Sequence, residues 1–146
     1  MAIRGFFSAT RLAGQAAPTA LPYVVTSVYL PQFGRRANVT FLIDTGADVT
    51  ILHPQDSLRL LRPQEIQALP NPAPLGGVGG GTNSYPAQAT VVFIHDDRRL
   101  HSVPLTIFLA DPSPANQWLD SLLGRDALDH FVMHFDQRGR ILTLGA

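Results

Sequence analysis

This sequence predicts an all-β protein, a compact and mostly antiparallel barrel or sandwich of short strands. Three observations carry the prediction. Runs of β-branched and aromatic residues recur along the chain, turn-forming Gly, Pro, Asn and Asp fall between them, and helix-like spacing is confined to one proline-split stretch. At 146 residues the chain has the size of one domain and can bury a core without disulfides or metal.

Residues 1–20 carry two Arg, no acid and many Ala, with Arg11 breaking any continuous apolar stretch, and read as a flexible N-terminal arm or a propeptide. The domain proper is expected over residues 21–146. Residues 23–30 are dense in Val, Tyr and Thr; Pro31, Gly34 and Arg35 then make a turn before a second apolar run over 39–43, which together predict a hairpin. A short β-branched run over 49–52 ends at His53-Pro54, where proline suits the first position of a helix. Leu58, Leu61, Ile66 and Leu69 have helical spacing, and Pro63 splits that stretch into two short pieces.

Residues 71–86 read as a loop from their Pro and Gly content. Residues 87–95 and 100–109 predict a second hairpin around Asp96-Asp97-Arg98. A short helix is expected over 124–131. The chain then closes in a third hairpin, 132–136 with 141–144, around Gln137-Arg138-Gly139. No internal repeat is visible.

Composition removes much chemistry. Lys and Arg together number 11 and balance 11 acids, with no basic cluster beyond the pairs Arg35-Arg36 and Arg98-Arg99, so nucleic acid is not an expected partner. Cys is absent, which excludes disulfides, thiolate zinc sites and cysteine nucleophiles. Every basic residue besides His is Arg. Without Lys there is no Walker-type phosphate lysine, no Schiff base and no serine-lysine dyad. No apolar run approaches the roughly 20 residues of a spanning helix, so the expectation is a soluble, cytoplasmic protein with no membrane partner. His130 and His134 stand four apart, but 131–135 alternates like a strand and no zincin acid is near, so no metal and no cofactor are expected.

The sequence stops being generic at Phe41-Leu42-Ile43-Asp44-Thr45-Gly46-Ala47-Asp48. An apolar strand there runs directly into a carboxylate, and Gly46 lets backbone come close to a ligand. Asp-Thr-Gly alone is also what a structural turn looks like. Gly76 to Gly81, alone, reads as a linker; it lacks the spacing of a dinucleotide turn and has Thr82 where a phosphate loop needs Lys. Leu122-Leu123-Gly124 alone would be any strand-to-helix junction.

Taken together and in order, these segments resemble the retropepsins, the retroviral-type aspartic peptidases. The run into Asp44-Thr45-Gly46-Ala47-Asp48 resembles their active-site loop. Leu75-Gly76-Gly77-Val78-Gly79-Gly80 is similar to their mobile flap, Pro112-Ser113-Pro114-Ala115-Asn116 to the loop that walls the substrate cleft, and Leu122-Leu123-Gly124-Arg125-Asp126 to the opening of their C-terminal helix. The resemblance implies a closed acid-protease barrel with one or two short helices, and a homodimer in which two Asp44 side chains hold one water. It implies that Asp44, Thr45 and Gly46 are catalytic, that Ala47, Asp48, Gly76, Gly77, Val78, Gly79, Pro114 and Ala115 meet a peptide substrate, and that Gly124 and Arg125 give support, Arg125 by pairing with Asp48.

The chain departs from the viral pattern in its helical stretch over 54–69, in the added Gln117-Trp118-Leu119, in lacking an arginine near Leu21-Pro22, and in ending on a hairpin. The alternative reading is a non-catalytic peptide-binding or dimerisation module on the same fold. A haloacid-dehalogenase-like phosphotransferase using Asp44 as nucleophile fits poorly, since that chemistry needs a second Asp or Lys in the loop together with a parallel sheet.

Overall fold

The computed structural model describes residues 2–10, 19–75 and 82–145. In chain order the elements are β1 (Ala2–Arg4), β2 (Phe6–Thr10), β3 (Thr19–Leu30), β4 (Arg35–Ile43), β5 (Ile51–Leu52), α1 (Pro54–Ser57), α2 (Pro63–Gln67), β6 (Ala73–Leu75), β7 (Thr82–Ile94), β8 (Leu100–Ala110), β9 (Leu122–Leu123), α3 (Arg125–Leu128), β10 (Val132–Asp136) and β11 (Ile141–Gly145). Eight strands form one sheet in the order β2-β3-β4-β9-β5-β8-β7-β6, and β7 also pairs with β3, so the sheet curls back on itself. A smaller sheet, β1-β11-β10, completes the all-β body.

Side-chain alternation decides which face is inside. In β3, Val24, Thr26, Val28 and Leu30 point inward while Val25 and Tyr29 are exposed; in β4, Val39, Phe41 and Ile43 do the same. The two strands are joined by a turn in which the Leu30 carbonyl accepts from Phe33 N–H (3.1 Å) and Gly34 N–H (3.0 Å). Inward residues of β7, β8 and β9, among them Val91, Phe93, Ile107, Leu109 and Leu123, meet them in one core. Full burial of one such side chain is worth roughly 1.5–3 kcal/mol.

Both proline-started helices are present and short, as Pro54 and Pro63 dictate. Glu65 closes α2 by accepting from the Arg62 N–H at 2.9 Å and from Arg35 Nη1 at 2.9 Å, which ties the helix to the start of β4. These contacts, led by the Arg35 bond, pull the Glu65 carboxyl down from 4.5 to about 2. Among the described residues no helix is long and apolar enough to cross a membrane.

Three expectations are corrected. The described part of the stretch read as an arm is strand. β1 pairs with β11 and β2 with β3, Ile3 is 1% exposed, and the boundary placed at residue 21 falls inside β3. Ala2–Arg4 and Phe6–Thr10 carry no period of two to read, and it is pairing with β11 and β3 that makes them strands. The 71–86 loop is also strand at both ends, with Ala73–Leu75 paired to Thr82–Ser84 and β7 continuing through Pro86. Pro86 is tolerated because β7 there faces only β8 among the described strands, between its β6 contacts ending at Ser84 and its β3 contacts starting at Thr90. The helix expected over 124–131 is only Arg125–Leu128.

Candidate active site

Asp44 stands where β4 ends. Leu42 and Ile43 lie parallel to Leu122 and Leu123, the Leu42 N–H donates to Ser121 O (2.9 Å), and the Asp44 N–H donates to Leu123 O (3.0 Å). On its other side β9 pairs with Ile51, and β5 in turn runs parallel to Phe108 and Leu109 of β8. β9, with Leu123 buried and Leu122 half-buried, is thus wedged between the strands that enter and leave the Asp44 loop. Strands this short are held by their neighbours rather than by propensity.

Within the loop the Gly46 N–H donates to Asp44 Oδ1 (2.9 Å) and the Ala47 N–H to Asp44 O (3.2 Å), which closes a tight turn and orients the carboxylate. Asp44 is half-buried, and Thr45 and Gly46 are exposed. An added Cβ on Gly46 would sit 3.2 Å from Asp44 Oδ1, so a side chain there would press on that oxygen.

The loop is stitched to the start of α3. The first N–H groups of a helix have no partner within it; here Arg125 N–H donates to Ala47 O (2.9 Å) and Asp126 N–H to Asp48 O (3.3 Å). Thr50, fully buried, donates its hydroxyl to Asp126 Oδ1 (2.7 Å) and its N–H to Asp126 Oδ2 (3.0 Å), while its Oγ1 accepts from Gly124 N–H (3.2 Å). Gly124 must be glycine, because a Cβ would strike the Val49 carbonyl, whose carbon is 2.6 Å away. Arg125 forms an ion pair with Asp48. Both side chains are more than half exposed, so the pair orients the loop more than it stabilises the fold.

A second network holds α1 to the entry of β9. The Ser121 hydroxyl donates to Asp56 Oδ2 (2.6 Å) and accepts from His53 N–H (3.0 Å), and Arg59 Nη2 donates to Asp56 Oδ1 (2.7 Å). His53 Nδ1 meets Asp120 O at 2.7 Å, which fixes the proton on Nδ1.

Of the residues singled out in the sequence, Asp44, Thr45, Gly46, Ala47, Asp48, Gly124 and Arg125 are brought together here. Pro114 and Ala115 lie exposed on the 111–121 loop, which leads through β9 to the Asp44 turn. Gly76, Gly77, Val78 and Gly79 lie outside the described residues. Sequence reasoning missed Thr50 and the role of Asp126. Their only signal was position, Thr50 closing the run that begins at Asp44 and Asp126 closing the run Leu122-Leu123-Gly124-Arg125.

A family model described as retroviral aspartyl protease matches residues 19–135. Among solved structures, the chain is similar to a retropepsin-like aspartic protease from Rickettsia conorii, with 16% identity over 96% of this chain and 89% of that one and a TM-score of 0.52. It is also similar to EIAV protease complexed with the inhibitor HBY-793, with 22% identity over 83% of this chain and 92% of that one and a TM-score of 0.43. No curated protein matches the chain.

Proposed function

The chain belongs to the retroviral aspartyl protease family, and from that premise we propose that it is an aspartic endopeptidase working as a homodimer, with Asp44 of each copy forming the catalytic pair. The observation that carries the reading is the Asp44 turn: a carboxylate at the end of a buried strand, oriented by the Gly46 N–H and braced by Thr50, Gly124 and Asp126. The sequence contains Asp-Thr-Gly once, and the reaction needs two carboxylates.

Two carboxylates in contact cannot both ionise cheaply, so the pair shares one proton. The ionised partner accepts a proton from the water held between them, and the oxygen so activated attacks the scissile carbonyl. The protonated partner donates to the carbonyl oxygen as charge develops there. In this reading Thr45 supports the partner's turn, Gly46 and Asp48 meet substrate backbone, and Pro114 and Ala115 line the cleft. Residues 76–81 supply a covering flap whose arms are β6 and β7. The substrates are extended peptides with apolar residues at the cut.

The test is a peptide-library digest with wild type and Asp44→Asn, with and without a statine-type inhibitor that mimics the tetrahedral intermediate. Cleavage by wild type alone, blocked by the inhibitor, is the expected result. A variant that still cuts would refute the assignment of Asp44, and peptide binding without cleavage by wild type would favour a binding module.

A further inference from the structure

Asp56 is a buried carboxylate that takes no part in the proposed reaction. It is 7% exposed, on the short helix α1, and both its oxygens are engaged. Oδ2 accepts from the hydroxyl of the fully buried Ser121 at 2.6 Å. Oδ1 accepts from Arg59 Nη2 at 2.7 Å, and the same Nη2 donates to the Asn38 carbonyl at 2.6 Å. Asn38 belongs to β4, the strand that ends at Asp44, while Ser121 leads directly into β9, the strand that pairs with that end. One carboxylate thus ties the two strands together away from their own pairing.

Burying a carboxylate beside a guanidinium is a poor route to stability, because lost hydration offsets much of the attraction and apolar replacements often do as well. What it supplies is a fixed geometry. β9 needs one, since its pairing with β4 is only Leu42 with Leu122 and Ile43 with Leu123, too short to set a register by itself. A slip of one residue would turn the fully buried Leu123 outward. It would also carry off the Ser121 and Leu123 carbonyls that accept from the Leu42 N–H (2.9 Å) and the Asp44 N–H (3.0 Å).

We infer that Asp56 is a positioning residue for Asp44: through Ser121 and Arg59 it sets where β9 lies along β4, and so where the Asp44 carboxylate stands. The inference rests on the peptidase reading. Because the Asp44 N–H is bonded to β9, a displaced β9 moves each Asp44 relative to its copy in the proposed dimer. The gap between the two apparent pKa values of such a pair grows with the contact between its carboxylates, so the width of the pH–rate bell reports their placement.

The test compares wild type with Asp56→Ala, Asp56→Asn and a core variant outside this circuit, Val28→Ala, all well below their unfolding midpoints and at concentrations where sedimentation shows the same assembly. Asp56→Ala should lower kcat by about tenfold or more with KM nearly unchanged. It should also narrow the bell and speed hydrogen exchange at the Leu42 and Asp44 amides. Asp56→Asn, whose amide oxygen still accepts from Ser121, should keep most of kcat and the width of the bell. Val28→Ala should lose stability and change neither. Should Asp56→Ala not fold, Arg59→Met takes its place, cutting the tie to Asn38 alone, with the same outcomes in smaller measure. Wild-type kcat and bell width in the folded variant, or equal losses in Val28→Ala, overturn the positioning role and leave the peptidase reading standing. Wild type that cuts no peptide overturns the peptidase reading; the Leu42 and Asp44 amides then decide whether Asp56 places the turn, faster exchange upholding it and unchanged exchange overturning it.

Discussion

Thr50 and Asp126, 76 positions apart in sequence, are joined twice: the threonine donates both its hydroxyl and its backbone N–H to the two oxygens of one carboxylate. The same hydroxyl accepts from Gly124, so one buried side chain fixes the spacing between the Asp44 loop and α3. Thr50→Val keeps the shape and removes the hydroxyl, taking from the Gly124 N–H its acceptor and leaving Asp126 Oδ1 with the Ala127 N–H alone. The expected loss is about 2 kcal/mol of stability, read as a lower denaturation midpoint, with peptide cleavage falling in parallel. Thr50→Ser should recover most of both.

Gly124→Ala tests the close approach of β9 to the loop. The added methyl meets the Val49 carbonyl, which cannot move without disturbing the Thr50 and Asp44 bonds. A cost of about 2–3 kcal/mol is expected for such overpacking. Thermal unfolding of the variant reads it, and a midpoint equal to wild type would show that the loop has room to shift.

In the proposed dimer two Asp44 side chains share one proton, so the rate should be bell-shaped in pH, with its optimum in mild acid. Below it no general base remains; above it the proton donor is lost and two negative charges meet. Specific activity should also fall on dilution, as it must for an assembly linked to its own concentration. Initial rates from pH 3 to 8, with sedimentation at each enzyme concentration, check both. A rate rising steadily to pH 8, or full activity in a monomer, is incompatible with the pair.

The Glu65 carboxyl is held down to about 2, first by its bond from Arg35 and then by the Arg62 N–H. A folded value below the unfolded one means that the folded state favours the ionised form, so the contribution is complete above the ordinary value of 4.5 and disappears as pH falls toward 2. Glu65→Gln should therefore be less stable than wild type at pH 6, with the gap closing between about pH 4.5 and 2. Urea midpoints across that range give the comparison; a gap that stays constant would place the effect elsewhere.

Ile3 tests whether the N-terminal residues belong to the body. It is 1% exposed, in a strand paired to β11, and Gly5 is pressed close to Leu142 and the Tyr23 carbonyl. Ile3→Ala should cost about 2–4 kcal/mol. For the same reason, cutting at Phe6-Phe7 or Ala20-Leu21 would break the β2–β3 ladder, so intact mass should stay constant on incubation with active enzyme at mild acid pH. A shortened species accumulating only in wild type would restore the propeptide reading.

The sequence by itself determined what depends on neighbours along the chain. The density of β-branched and aromatic residues in 23–30, the turn residues after it and the apolar run over 39–43 specified the first hairpin, Pro54 and Pro63 started the helices, and the apolar run into Asp44-Thr45-Gly46 marked the candidate site. Only the tertiary structure decided the rest. β9 is two residues long and has no periodicity to read; it becomes a strand because β4 and β5 flank it. Pro74 and Pro86 argued for a loop, yet both sit in strands where the ladder is one-sided, β6 at the sheet edge and β7 between its partners, so the missing N–H costs no hydrogen bond. Thr50 with Asp126, and Asp56 with Ser121, arise from contacts between residues far apart in sequence. Such contacts form only once the sheet has curled, because it is burial and the need to satisfy polar groups inside it that select them.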